Sequence, residues 1–156
     1  MWRGSGFRRL RLPDIRSVLV VCIGNICRSP MAEALLKREL DQNVHVSSAG
    51  LGAMVGHPAD EHAQTLMDGL GLSIRNHRAR QLTQALISSH ELILVMTARQ
   101  KDMLQTEYPS ARGRVYRICH WQPADVADPY QKERSAFESA LVLIRQGVAD
   151  WAERLK

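Results

Sequence analysis

The sequence predicts an α/β protein: a three-layer α/β/α sandwich built around a four-stranded parallel sheet. Two observations favour this class. Short apolar runs of strand length alternate along the chain with longer stretches of helical period. The first of these runs, Ser17–Val21, leads through one short loop into a helix-type stretch. Strands that alternate with helices form βαβ units, whose strands pair in parallel and are covered by helices on both faces.

The four predicted strands are short runs rich in aliphatic residues, bounded by polar or turn-forming residues. They cover Ser17–Val21, Val44–Ser48, Glu91–Met96 and Val115–Cys119. Ligands of parallel α/β sheets bind at the carboxyl ends of the strands. The residues that follow the strands are therefore the first candidates for a functional site.

Start and stop signals delimit five predicted helices. We expect Ser29 to cap the first helix and Pro30 to occupy its first position. We expect Gly69 and Gly71 to end the second helix. The last helix carries apolar residues at three- and four-residue spacing. The predicted spans are Pro30–Leu40, Asp60–Gly69, Thr83–Ser89, Ala98–Thr106 and Ser135–Leu155.

At 156 residues the chain is long enough for one domain with a substantial core. We assign residues 17–156 to that domain and residues 1–16 to a basic, flexible leader, with a weak electrostatic tether as the alternative role of the leader. The leader contributes +4 of the net charge of +5, so the basic balance does not indicate nucleic-acid binding. No apolar run approaches the roughly 18 residues that span a membrane.

Cysteine use indicates a reducing compartment. The three cysteines, Cys22, Cys27 and Cys119, are too few and odd in number for a disulfide scaffold, which predicts a cytoplasmic protein. Cys22 and Cys27 have no second pair that would complete a zinc site, and the histidines are scattered. We therefore expect no metal and no cofactor.

The segment between the first strand and the first helix carries the strongest functional signal. It consists of Cys22, Ile23, Gly24, Asn25, Ile26, Cys27, Arg28 and Ser29. The N–H groups of such a loop and the positive end of the helix behind it converge on one point and bind an anion. Arg28 adds a fork for two phosphate oxygens. The same field favours a nucleophilic Cys22 thiolate, to which the Ser29 hydroxyl can donate. The sequence thus predicts a phosphate-binding loop with a nucleophile at its base.

This motif, Cys-x5-Arg-Ser with an internal Gly-Asn-x-Cys, resembles the signature of the low-molecular-weight protein tyrosine phosphatases. The resemblance covers about residues 16–155. It implies that Cys22 attacks phosphorus while Arg28 binds the phosphoryl oxygens. It also implies that Asp128, in the run Asp128-Pro129-Tyr130, protonates the leaving tyrosyl oxygen and then activates water. Tyr130 is implied to stack on the substrate ring.

The same resemblance implies a supporting network and a redox partner. Asn25 is expected to hold the loop through hydrogen bonds to Ser48 and His77. Cys27 is expected to form a reversible disulfide with Cys22 under oxidants. A small buried residue at the start of the helix is an equal alternative for Cys27.

Several features resemble bacterial members of the family. Leu51 and Met54 are the bulky candidates for one wall of the substrate cleft, and Gln131 rather than a second tyrosine follows Tyr130. The bacterial enzymes resembled most act on autophosphorylated tyrosine kinases that control capsule and exopolysaccharide export. The implied partner is therefore a phosphotyrosine protein of that kind, and the implied ligands are inorganic phosphate and other oxyanions.

Two other classes of function stay open. A thiol-dependent arsenate reductase would share the loop and the fold, but it would relay a disulfide through later cysteines, and only Cys119 follows the loop. A non-catalytic phospho-binding or redox-sensing module would be favoured by loss of the nucleophile or the acid, and Cys22 and Asp128 are both present. Asp125 lacks a following Pro-Tyr and is not expected to be the acid.

Overall fold

The computed structural model describes residues 14–155. Its centre is a parallel sheet of four strands in the order β2-β1-β3-β4. The strands are β1 (Ser17–Cys22), β2 (His45–Gly50), β3 (Leu92–Val95) and β4 (Val115–Arg117). The helices are α1 (Arg28–Glu39), α2 (Glu61–Gly69), α3 (Gln84–Ser88), α4 (Ala98–Glu107) and α5 (Arg134–Arg154), with a 3₁₀ turn at Pro109–Ala111. The predicted fold class is confirmed.

Two hydrophobic cores lie on opposite faces of the sheet. Successive side chains of a strand point to opposite faces, and in β1 Val18 and Val20 enter one core whereas Leu19 and Val21 enter the other. The first core is closed by α1, α2 and α5, and the second by α3 and α4. Because both faces are covered, the central strands are apolar on both sides, which is why they read as continuous aliphatic runs.

The prediction that Ser29 caps α1 is wrong. The helix begins at Arg28, and its N-cap is Cys27, whose side chain makes no capping hydrogen bond. The Ser29 hydroxyl is used inside the preceding loop instead, where it accepts a hydrogen bond from Asn25 at 2.8 Å. Pro30 is consequently the third helical residue rather than the first. Its missing N–H still costs no intrahelical bond, because the first four N–H groups of a helix have no partner within it.

The packed domain begins earlier than the sequence pattern indicates. Ile15, which the pattern assigns to the leader, is 3% exposed within the first core. The backbone N–H of Arg16 donates to Glu91 Oε1 at 2.7 Å. Residues 1–13, which hold the rest of the predicted leader, lie outside the described residues. Over residues 14–155, no helix is long and apolar enough to cross a membrane.

The contact between α5 and the end of β4 depends on a glycine. A Cβ atom at Gly147 would lie 2.6 Å from the carbonyl oxygen of Ile118. The same carbonyl accepts a hydrogen bond from Trp151 Nε1 at 3.0 Å. Glycine at this position therefore lets the helix approach the strand end closely enough for that bond to form.

We expect Gly147→Ala to lower the free energy of unfolding, measured by urea denaturation. Alanine gains about 1 kcal/mol of helix propensity over glycine, but a new methyl group pressed against a backbone atom costs about 1–3 kcal/mol and must displace the helix. Gly69→Ala in α2 is the matched control, since nothing lies within 4 Å of its Cβ position. A Gly147→Ala protein as stable as the parent would contradict this account of the contact.

Candidate active site

The phosphate-binding loop lies at the carboxyl edge of the sheet. It leaves β1 at Cys22 and enters α1 at Arg28. The last residue of β1, Cys22, pairs with Gly50 at the end of β2. A Cβ at Gly50 would lie 2.3 Å from the carbonyl oxygen of Ile23. Only glycine therefore allows the neighbouring strand end to come this close to the loop.

The carbonyl groups of the loop point outward. The carbonyl oxygens of residues 22–26 all accept hydrogen bonds from donors outside the loop. These donors are the backbone N–H groups of Leu51, Gly52, Met54 and Asp60 and the side-chain Nε2 of His77. In a trans peptide the N–H group points opposite to the carbonyl. The N–H groups of residues 23–27 therefore point to the inside of the loop, where they can bind an anion.

Asn25 holds the tightest bend of the loop. Its backbone has φ of 60°, a left-handed conformation that asparagine tolerates better than most residues. Its fully buried side chain donates to Ser29 Oγ at 2.8 Å and to Ser48 Oγ at 3.0 Å. Its Oδ1 accepts from the backbone N–H of Arg80 at 3.0 Å, and its carbonyl accepts from His77 Nε2 at 2.6 Å. Asn25 thus contacts both residues that the family resemblance paired with it.

The Ser29 hydroxyl lies 2.9 Å from Cys22 Sγ. Since Asn25 donates to the Ser29 oxygen, the hydroxyl hydrogen of Ser29 is left for the sulfur. A hydroxyl that donates to sulfur stabilises the thiolate relative to the thiol. The Ser29 hydroxyl is therefore placed to donate to the Cys22 sulfur at the base of an N–H-lined loop.

Arg28 is buried and held at the mouth of the loop. Its Nη1 donates to the carbonyl of Val126 at 2.8 Å, and its Nη2 lies 3.7 Å from Asp128 Oδ2. Its Nε is the one buried side-chain nitrogen or oxygen, among residues 14–155, that has no hydrogen-bond partner. A buried unpaired donor is costly, and a phosphoryl oxygen in the loop would satisfy it.

Asp128 lies beside Arg28 and remains accessible, with half of its side chain exposed. Its Oδ1 accepts from the backbone N–H of Tyr130 at 3.0 Å, so the run forms an Asx turn. The turn does not compete with proton transfer, because Oδ2 takes no part in it. Asp125, the other nearby carboxylate, pairs with Arg117 at 3.4 Å and accepts from the N–H of Ala98.

The predicted cleft residues differ in their surroundings. Tyr130 is 38% exposed. Met54 is half-buried and lies over Gly24 of the loop, with its Cγ and Sδ 3.8 Å from the Cβ position of that glycine. Leu51 is half-buried and packs against the second core. The neighbouring Val55, which sequence reasoning did not single out, is 65% exposed and is the most accessible apolar residue of this segment.

The three cysteines have different environments. Burial raises the pKa of Cys27 far above its ordinary value, and the carboxylate of Asp60 raises it further. Burial also raises the pKa of Cys119, whose thiol donates to the carbonyl of Leu143 at 3.4 Å. Both thiols are therefore protonated at neutral pH. All three cysteines are free, so the structure contains the Cys22 and Cys27 thiols in their reduced forms.

Among the described residues, no group of three or more His, Cys, Asp or Glu side chains could hold a metal ion. The polar groups of this site are instead those that bind an oxyanion: inward N–H groups, a guanidinium and a helix N-terminus.

Two contacts of the site were missed by sequence reasoning. The carbonyl of Val126 orients Arg28, and the carboxylate of Glu33 accepts from Ser48 at 2.5 Å. A backbone carbonyl carries no sequence signal. Glu33 did carry a sequence signal, because it stands four residues after Ser29 on α1 and therefore lies on the same face of the helix as Ser29.

The fold and this loop define a class of phosphoryl-transfer protein with a cysteine nucleophile. Comparison with known proteins establishes the family: the chain belongs to the low molecular weight phosphotyrosine protein phosphatases, whose model matches residues 17–156. The predicted class of enzyme, a low-molecular-weight protein-tyrosine-phosphatase, is thereby confirmed, and the arsenate reductase alternative is not favoured.

Individual relatives agree with this assignment. The chain is 49% identical over 142 residues to the probable low molecular weight protein-tyrosine-phosphatase EpsP of Ralstonia nicotianae, covering 91% of this chain and 97% of that one. It is similar to the crystal structure of the tyrosine phosphatase Wzb from Escherichia coli K30 in complex with sulphate, with a TM-score of 0.87, 39% identity and coverage of 91% and 99%. It also resembles a YwlE arginine phosphatase mutant with a phosphorylated active-site serine, with a TM-score of 0.83, 28% identity and coverage of 89% and 95%.

We expect iodoacetamide to alkylate Cys22 at neutral pH and to leave Cys27 and Cys119 unmodified. The thiolate is the reactive form, and the raised pKa values of Cys27 and Cys119 keep them protonated. Peptide mass spectrometry after limited alkylation measures the modification of each cysteine. In the Cys22→Ser protein, the native protein should take up no label, whereas the unfolded protein should take up two. Alkylation of Cys27 before Cys22 would contradict these assignments.

Proposed function

We propose that this protein hydrolyses phosphotyrosine in proteins through a cysteinyl-phosphate on Cys22. The observation that carries the proposal is the buried, unpaired Nε of Arg28 beside a loop whose N–H groups point inward. Together they form a site for an oxyanion with a thiol at its base. The sulphate in the Wzb structure shows that a relative of the same fold binds such an anion.

In the first step the Cys22 thiolate attacks phosphorus in line with the leaving tyrosyl oxygen. A sulfur–phosphorus bond forms as the phosphorus–oxygen bond breaks, and its electron pair passes to the tyrosyl oxygen. The N–H groups of the loop and Arg28 bind the equatorial oxygens, where charge is spread in the transition state. The Ser29 hydroxyl, 2.9 Å from the sulfur, stabilises the thiolate before attack and again when it leaves.

Asp128 transfers the proton in both steps. Protonated Asp128 donates to the tyrosyl oxygen, which would otherwise leave as a phenolate. The resulting carboxylate then accepts a proton from the water that attacks the cysteinyl-phosphate and releases inorganic phosphate. The position of Asp128 3.7 Å from Arg28 supports this role, because the acid must lie beside the group that holds the phosphoryl oxygens.

The depth of the nucleophile favours tyrosine as the substrate residue. Cys22 is only 2% exposed, so the phosphoryl group must reach it on a long side chain. The exposed ring of Tyr130 supplies an apolar surface against which an aromatic ring can stack. We expect phosphoserine to be a poorer substrate, because its side chain carries the phosphorus less far from the backbone.

The proposed partner is an autophosphorylated tyrosine kinase that controls exopolysaccharide or capsule export, and the proposed compartment is the cytoplasm. The 49% identity to the protein-tyrosine-phosphatase EpsP over almost the whole length of both chains supports a phosphotyrosine protein as the substrate. The small and odd number of cysteines supports a reducing compartment. Inorganic phosphate, the product, is expected to bind the same loop and to inhibit competitively.

We expect Cys22→Ser to abolish phosphate release from a phosphotyrosine peptide in the presence of EDTA. We expect Asp128→Asn to lower kcat about 10²–10⁴-fold, the usual contribution of a general acid. The loss in Asp128→Asn should shrink with p-nitrophenyl phosphate, whose leaving group needs no proton. Asp125→Asn is the matched control and should retain kcat. An Asp128→Asn enzyme as active as the parent on both substrates would assign the acid elsewhere.

We also expect a phosphotyrosine peptide to be turned over faster than phosphoserine and phosphoarginine peptides of the same sequence. The phosphoarginine comparison matters because an arginine phosphatase shares the fold. The measurement is kcat/KM for the three peptides under one set of conditions. A kcat/KM for phosphoarginine above that for phosphotyrosine would move the substrate assignment to phosphoarginine.

A further inference from the structure

A continuous chain of hydrogen bonds joins a carboxylate on α1 to the sulfur of Cys22. Ser48 Oγ donates to Glu33 Oε1 at 2.5 Å, and Asn25 Nδ2 donates to Ser48 Oγ at 3.0 Å. Asn25 Nδ2 also donates to Ser29 Oγ at 2.8 Å, which lies 2.9 Å from Cys22 Sγ. The three distances that join nitrogen or oxygen atoms are those of hydrogen bonds, and the Ser29 hydroxyl lies within hydrogen-bond reach of the sulfur.

The direction of the bonds that join Asn25 to Ser29, Asn25 to Ser48 and Ser48 to Glu33 is fixed by the backbone N–H of Arg80. The backbone N–H of Arg80 can only donate, so the Asn25 atom that it contacts is the oxygen and the other atom is the NH₂ group. That group must therefore donate to both Ser48 and Ser29. The Ser48 hydroxyl hydrogen then needs an acceptor elsewhere, and the carboxylate of Glu33 is the acceptor that it contacts.

We infer that Glu33 is a positioning residue for the Cys22 thiolate, acting through Ser48 and Asn25. With its hydrogen committed to Glu33, Ser48 presents only lone pairs to the Asn25 amide. The amide is thereby held from both sides in the orientation that leaves the Ser29 hydrogen for the sulfur. Without an acceptor at position 33, no other group in this series of hydrogen bonds can accept the Ser48 hydrogen. Rotation of the hydroxyl toward Asn25 would then place the Ser48 O–H and the Asn25 NH₂ group, both donors, against each other.

The surroundings of Glu33 suit a fixed acceptor. Its side chain is 17% exposed, and its second oxygen, Oε2, lies 2.7 Å from Lys37 Nζ. Lys37 thus leaves Oε1 to Ser48. A cavity of about 380 Å³ borders Glu33 and Ser48, and the other charged or titratable groups that line it are Lys37, His77, Arg78 and Arg80. No second carboxylate lines this cavity.

The direction in which removal of Glu33 shifts the ionisation of Cys22 distinguishes a positioning role of Glu33 from a simple charge effect. A negative charge near a thiolate disfavours the thiolate, so by Coulomb repulsion alone the removal of Glu33 would make Cys22 ionise at lower pH. Loss of a hydrogen bond that orients the donor to sulfur acts in the opposite direction. The inference therefore predicts that Cys22 ionises at higher pH when Glu33 is removed.

The test is the pH dependence of Cys22 alkylation by iodoacetamide, measured by peptide mass spectrometry, in Glu33→Ala, Ser48→Ala and the double variant. We expect the midpoint of the pH profile of alkylation to lie at higher pH in Glu33→Ala. We expect kcat/KM to fall about three- to tenfold, which corresponds to the net free-energy contribution of one hydrogen bond. In the Ser48→Ala background, Glu33→Ala should cause no further rise. Glu39→Ala, an exposed carboxylate on the same helix, is the matched control and should leave the profile unchanged.

A midpoint that is unchanged or lower in Glu33→Ala, or that rises equally in both backgrounds, would overturn the inference. If Glu33→Ala does not fold, as judged by circular dichroism, Glu33→Gln replaces it. Its amide oxygen is a weaker acceptor than a carboxylate, so a smaller rise is expected and an unchanged midpoint would again be contradictory. The inference rests on the proposed function, but alkylation needs no turnover. A protein that shows the predicted shift without phosphatase activity would contradict only the proposed function.

Discussion

The outward orientation of five consecutive carbonyl groups is the constraint on which the site depends. Each of these carbonyls accepts a hydrogen bond from the segments that follow β2 and α2, and the planarity of the peptide bond then directs the intervening N–H groups inward. The carbonyl groups of the loop are therefore oriented from outside, by residues 51–60 and 77. Only with these bonds in place do the N–H groups, Arg28 and the N-terminus of α1 converge on one point, which is the geometry that an oxyanion requires.

The two cysteines of the loop are both buried but differ in their surroundings. Cys22 has the Ser29 hydroxyl at its sulfur and the inward N–H groups around it. Cys27, at the N-cap of α1, has a raised pKa because burial and the nearby carboxylates disfavour its charge. This division assigns attack to one thiol.

The sequence predicted features that are set by residues close together in the chain, and it missed contacts between segments that are far apart in the chain. Local patterns predicted the fold class and the loop, because strand periodicity and the Cys-x5-Arg spacing are contiguous in the chain. The candidate acid was implied by the family resemblance of the run Asp128-Pro129-Tyr130. Local reasoning about Ser29 was wrong, because a buried amide from Asn25 takes the hydroxyl that would otherwise cap the helix. The carbonyl of Val126 and the close approach of Gly50 to Ile23 join distant segments, so a single sequence contains no signal for them.

The central claim, a covalent phosphoryl group on Cys22, is tested most directly by trapping it. A phosphotyrosine peptide is mixed with excess protein for milliseconds, the reaction is quenched in acid, and the peptides are analysed by mass spectrometry. The account predicts one phosphoryl group on the peptide that contains Cys22, formed and consumed at rates consistent with turnover. Turnover of the substrate without any phosphorylated Cys22, under conditions that preserve a thiophosphate, would contradict it.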